Sequence, residues 1–228
     1  MHQIEIEIKS LTETILKMAS VSAQTVELAI EGIIERDDDK LRCAIKQDSE
    51  IDSLEMEIDQ RAFNLFAKAP LAGDLRLIMI ATKASSDLER IGDEATTIAR
   101  RGLELSKEPK LKEYVDIPRM TQIGMKMLRD AFASFVNGDS DAARAIVKTD
   151  KDVDMINKQM HRELAGYMVE APRNITRCLH LMTISKALER IADHAKNIAE
   201  EVVFLHEGQD IRHGGNTLRS TEEHPPSR

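Results

Sequence analysis

The chain has no tryptophan, two tyrosines, five phenylalanines and two cysteines among its 228 residues. With few aromatics, and with Ala, Leu, Ile and eleven Met supplying the apolar side chains, the composition points to an all-helical protein. Cys43 and Cys178 belong to no CxxC pair, so they exclude a disulfide framework and read as small core residues in a reducing compartment. Nowhere do eighteen apolar residues run together, which excludes a membrane span. The N-terminal Met-His-Gln-Ile-Glu-Ile-Glu-Ile-Lys lacks the basic and apolar regions of a signal peptide. A cytoplasmic protein is the expectation. The formal net charge of −8 argues against nucleic-acid binding, which wants a basic face; it suits cations or basic protein partners. No Glu-x-x-His pair of the ferritin-like di-iron kind occurs, no phosphate-cradling Gly-rich loop, no Gly-x-Ser-x-Gly and no HExxH.

What the chain does contain is the same text twice. Leu88-Glu89-Arg90-Ile91-Gly92-Asp93 returns as Leu188-Glu189-Arg190-Ile191-Ala192-Asp193, and the match continues through Ala95/Ala195, Ile98/Ile198 and Ala99/Ala199. Upstream the register moves by two. Asp48, Asp52 and Leu54 face Asp150, Asp154 and Ile156, and Ala69-Pro70 faces Ala171-Pro172. A repeat of this length marks a duplicated folding unit rather than a solenoid.

Apolar residues at Leu77, Ala81, Ala84, Leu88, Ile91, Ala95 and Ile98 step by four and three, the narrow seam of a coiled-coil-like helix. The second copy repeats the pattern from Leu181 to Val202. Breakers divide the rest: Asp37-Asp38-Asp39, Pro70 with Gly73, Pro109 and Pro118, Asn137-Gly138-Asp139, and Pro172. Helices are therefore expected at about 3–36, 38–68, 74–106, 117–136, 139–170 and 173–207. Short connections make neighbours antiparallel. The expected architecture is two tandem, pseudo-two-fold-related three-helix bundles, residues 1–107 and 108–209, with a largely disordered tail at 210–228.

At about 100° per residue, Glu89 and Asp93 fall on one side of their helix, away from the seam. A hairpin closing near residue 71 or 72 sets Glu55 level with Glu89 and Asp52 near Asp93, with Asp48 and Asp59 a turn to either side. In the second half the same construction sets Asn157 level with Glu189 and Asp154 near Asp193, flanked by Asp150 and His161. One reading is a pair of solvated helix faces, with Arg90 pairing to nearby acids for a few tenths of a kcal/mol. Against it, Glu55/Asp59 and Glu89/Asp93 are like-charge pairs at i,i+4, each mildly destabilising. Stacked on adjoining helices, they make sense where a cation is expected. Carboxylate clusters suit hard cations such as Mg, with Mn, Fe or Zn entering where histidine joins. The second cluster is expected to bind metal more weakly, having fewer carboxylates.

These residues, together with Asp74-Leu75-Arg76-Leu77 and Gly208-Gln209-Asp210-Ile211-Arg212-His213-Gly214-Gly215, resemble the PhoU family over about residues 3–215. The resemblance implies a two-fold-repeated, six-helix, non-enzymatic cytoplasmic regulator of bacterial phosphate uptake. It further implies a homodimer that links the ATPase subunit of a phosphate ABC transporter to a phosphate-sensing histidine kinase and holds starvation genes off when phosphate is plentiful. Its E/D-xxx-D motifs, which can carry clusters of divalent or trivalent metal (Fe, Zn, Mn or Mg), map onto Glu55 with Asp59, Glu89 with Asp93, and Glu189 with Asp193. The fourth corner departs from the pattern, Asn157 and His161 standing at the positions of Glu55 and Asp59. Two other readings stand beside this one: a carboxylate-bridged metalloenzyme, and an accessory of a sodium- or proton-coupled phosphate carrier.

Overall fold

The computed structural model describes residues 2–68, 71–208 and 211. Among them the chain forms helices α1 (His2–Glu35), α2 (Asp38–Phe66), α3 (Ala72–Leu105), α4 (Asp116–Asn137), α5 (Ser140–Glu170) and α6 (Ile175–Glu207), with a 3-10 turn at Pro172–Asn174 and no strand. Every expected helix is present, its ends within about two residues of the expected ones. Ala69, Pro70 and the C-terminal segment from Gln209, apart from Ile211, lie outside the described residues.

The two copies turn their corners alike. Asp37 caps α2, its side chain accepting from the amides of Asp39 and Lys40, and Asp139 caps α5 by accepting from Ala142. Just before each cap the chain passes through the left-handed region, at Arg36 (φ 59°) and Gly138 (φ 69°). Glycine meets that requirement without strain. Arg36 does not, and its guanidinium is anchored instead on the carbonyls of Ser106 and Glu108, 2.7 Å from each.

Within each copy the three helices pack on one another; α3 then packs along α6, and α1 touches α4. Lys83 pairs with Glu201, Asp87 with His194 and Asn197, and Glu94 with Arg190. As one number rises the other falls, so α3 and α6 are antiparallel. They cross where Gly92 is level with Ala192, equivalent positions of the two repeats, and the pseudo-two-fold axis passes there. One apolar core runs through both bundles.

This arrangement corrects the narrow seam. Helix α3 meets α1, α2 and α6, and it buries Ser85, Gly92, Thr96, Ala99 and Gly102 as well as the seam residues, while Leu77 is only partly buried. Small residues let three neighbours approach one helix. The acids of α3 are therefore less free than the seam implied: Asp93 is exposed, but Glu89 is half-buried against α2.

Candidate metal centre

The first acidic face is built by α2 and α3. Asp48, Asp52, Glu55 and Asp59 step along α2 by about one turn each, and Glu89 and Asp93 answer from α3. The two rows lie close enough to influence one another: Asp93 acts on both Asp48 and Glu55, and Glu55, Asp52 and Asp93 act on Glu89. Partial burial is the largest influence holding the Asp48, Glu55 and Glu89 carboxyls above their usual range, and the neighbouring carboxylates add to it. Arg90 and Arg100 oppose the rise from a distance. Among the described residues, none of the six acids forms an ion pair with Lys, Arg or His. Their neighbours on α2 do: Glu50 with Lys17 at 3.5 Å and Glu57 with Arg61 at 2.6 Å.

Six carboxylates without a counter-ion, three of them disfavouring their charged form, make a donor set suited to hard cations. The side chains do not converge by themselves. Among the described residues no three of His, Cys, Asp and Glu are gathered around one point.

The second face, on α5 and α6, has the same backbone plan and different electrostatics. Lys196 lies 2.9 Å from Asp150 and 3.5 Å from Asp193, Lys186 lies 2.5 Å from Glu189, and Lys158 lies 3.9 Å from Asp154. Asp150 is the most enclosed of these acids, its side chain 10% exposed. Burial pushes its carboxyl up, and Lys196 offsets that rise only in part. Desolvation works against charge on Lys196, but Asp150 and Asp193 outweigh it and raise the ammonium's pKa.

The Asn157 side chain turns away from Glu189: it is buried and accepts a hydrogen bond from Ser185, one turn before Glu189 on α6. Glu55 cannot turn in this way without burying a charge, and Ser85 of the first repeat bonds its own helix at the Thr82 carbonyl instead. His161 lies one turn beyond Asn157 on α5, partly buried, its Nε2 without a hydrogen-bond partner. Asp150 Oδ1 is also unpartnered, and Glu189 Oε2, though in ionic contact with Lys186, has no hydrogen-bond partner either. Yet Asp150 and His161 are eleven residues apart on one helix, about 16 Å along its axis, too far to share a cation.

The lysines are what the reading of the acids passed over. Lys158, Lys186 and Lys196 replace Met56, Ser86 and Thr96 of the first repeat, so the signal lay in the same internal alignment that revealed the acids.

With this geometry in view, comparison with known proteins is informative. The PhoU domain family model matches the chain twice, at residues 15–102 and 117–202. The chain is 38% identical over 215 residues to the phosphate-specific transport system accessory protein PhoU homolog of Pseudomonas putida, covering 93% of this chain and 84% of that protein. To the homolog from Aquifex aeolicus it is 40% identical over 208 residues, 91% of this chain and 94% of that one. The crystal structure of PhoU from Pseudomonas aeruginosa superimposes with a TM-score of 0.87 at 36% identity, covering 90% of this chain and 99% of that one. That of the phosphate transport system regulatory protein PhoU from Streptococcus pneumoniae gives 0.86 at 26% identity, covering 91% and 99%.

Proposed function

The chain belongs to the PhoU family, and from that premise we propose that it is a non-enzymatic cytoplasmic adaptor of phosphate uptake. In this reading it acts as a homodimer between the ATPase subunit of a phosphate ABC transporter and a phosphate-sensing histidine kinase. With phosphate abundant it restrains uptake and keeps phosphate-starvation genes silent. The observation that carries the reading is the double match of the family domain, at residues 15–102 and 117–202. The relatives' names, accessory and regulatory protein, support a role exerted through binding.

The first acidic face supplies the chemistry of docking. Glu55, Asp59, Glu89 and Asp93, with Asp48 and Asp52 beside them, would hold divalent or trivalent metal. When bound, the metal neutralises their charge and offers remaining coordination positions to a partner's oxygen ligands. The protein's part is to present the carboxylates in a rigid row on two packed helices. An adaptor shifts a partner only through differential affinity for the partner's two states. A preference of about 1–3 kcal/mol, the usual coupling range, is enough to bias a kinase toward its silent form.

Deleting the gene in its native host and measuring starvation-gene output in high phosphate tests the reading. Derepression is expected, restored to silence by the wild-type gene and poorly by Glu89→Ala/Asp93→Ala. Unchanged repression in the deletion strain would overturn the adaptor role, and full complementation by the double variant would overturn the role of the face.

A further inference from the structure

We infer that the two pseudo-equivalent acidic faces have parted company: the second is neutralised by its own lysines and does not recruit metal, leaving metal dependence to the first alone. The inference rests on the reading that the first face takes up metal, and it assigns to Lys158, Lys186 and Lys196 the part that a cation plays there.

The geometry makes the case acid by acid. Asp150 and Asp193 share Lys196, Glu189 has Lys186 at 2.5 Å, and Asp154 has Lys158 within 4 Å. The three lysines stand where the first repeat has Met56, Ser86 and Thr96, none of which carries charge. A metal arriving at the second face would have to displace ammonium groups already in contact with its ligands, then tolerate their repulsion at close range. The remaining donors do not compensate. Asn157 is committed to Ser185 in the interior, and His161 sits beyond it, away from Glu189 and Asp193. The first face has six acids and no cation in contact with them, Arg90 and Arg100 acting only from a distance; the second has four acids, Asp150, Asp154, Glu189 and Asp193, and three cations in contact with them. Affinity for hard cations follows the number of uncompensated ligand charges. The molecule thus offers its partners one surface whose charge follows the metal supply and one whose charge is constant.

The test uses the full chain, stripped of metal and titrated with Mn2+ alone, the bound ion counted after equilibrium dialysis. Wild type and Glu189→Gln/Asp193→Asn should bind the same amount, and Glu89→Gln/Asp93→Asn should lose it. Lys158→Met/Lys186→Ser/Lys196→Thr should bind at least one further Mn2+ per chain. Because Lys196 partners a buried carboxylate, the milder Lys158→Met/Lys186→Ser, which leaves that pair intact, provides a second gain-of-binding variant. Loss of Mn2+ from Glu189→Gln/Asp193→Asn, or no gain in either folded lysine variant, would overturn the inference. Should wild type bind no Mn2+ at all, the reading of the first face fails, and the lysine variants still decide whether lysine is what keeps metal off the second.

Discussion

Exchanging Gly92 for alanine should destabilise the protein, and exchanging Ile51 for valine in the same chain should rescue it. A Cβ at Gly92 would sit 2.8 Å from Cδ1 and 3.3 Å from Cγ2 of Ile51, a side chain with no solvent exposure. Alanine in a helix interior gains about 0.8–1.0 kcal/mol over glycine. Displacing a packed isoleucine costs about 1–3 kcal/mol, so the single variant should lose about 1 kcal/mol. Ile51→Val alone should also lose about 1 kcal/mol, through the missing methyl group. Together they should nearly cancel, because the atom that valine lacks is the one the new methyl would strike. The second repeat already has this solution, with Val153 and Ala192 at the equivalent positions, both without exposure. Urea denaturation of the four proteins by circular dichroism closes a double-mutant cycle, with an expected coupling of about 2 kcal/mol from the two single costs. Losses that add within about 0.5 kcal/mol would refute the packing argument.

Two further outcomes concern the same helix. A Cβ at Gly102 would meet Ile33 Cγ1 at 2.8 Å and Leu41 Cδ2 at 2.9 Å, whereas the second repeat has Val202 and Ala143 at the positions of Gly102 and Leu41. Leu41→Ala should cost about 2–5 kcal/mol, and adding Gly102→Val should recover part of that loss in the same denaturation assay. In metal-free, low-salt buffer, Glu89→Gln should raise the melting temperature by about 1–2 °C, corresponding to about half a kcal/mol after solvent screening. The substitution removes a carboxylate held against burial and against Asp93, Glu55 and Asp52. Saturating Mn2+ should reverse the order of the two proteins, as read by differential scanning calorimetry.

How much of this could be read from the chain depended on what kind of residue carried the information. Helix limits were legible because Asp37, Asp139 and Gly138 act through their own local chemistry. The repeat was legible because Glu89/Asp93 and Glu189/Asp193 recur verbatim. The breadth of burial on α3 was not: Ser85, Thr96, Gly92 and Gly102 carry little hydropathy, and their contribution is the closeness they permit to neighbours. The left-handed turn at Arg36 escaped for a related reason, since what holds it is a set of carbonyls some seventy residues away. Asn157 could be aligned with Glu55, but nothing in the spacing shows that an uncharged amide turns inward to Ser185.

The differences between the two repeats fall into two kinds. In the core they come in compensating sets: Ile51 with Gly92 against Val153 with Ala192, and Leu41 with Gly102 against Ala143 with Val202. One carbon in the first set and three in the second are added on one side and removed on the other, as close packing demands of any interior. On the acidic faces that constraint is looser wherever the side chains reach solvent, as at Met56, Lys158 and Lys186, and acts mainly around the buried Asp150 and Thr96. Yet the lysines there are not scattered. Each contacts one or two of the four acids, and together they reach all four. Volume does not account for the placement of the exposed Lys158, whose surface ion pair contributes too little stability to require it, about 0–1 kcal/mol. Charge balance does account for it: an acidic face that works without metal needs cations of its own, and the second repeat carries them where the first leaves its carboxylates bare.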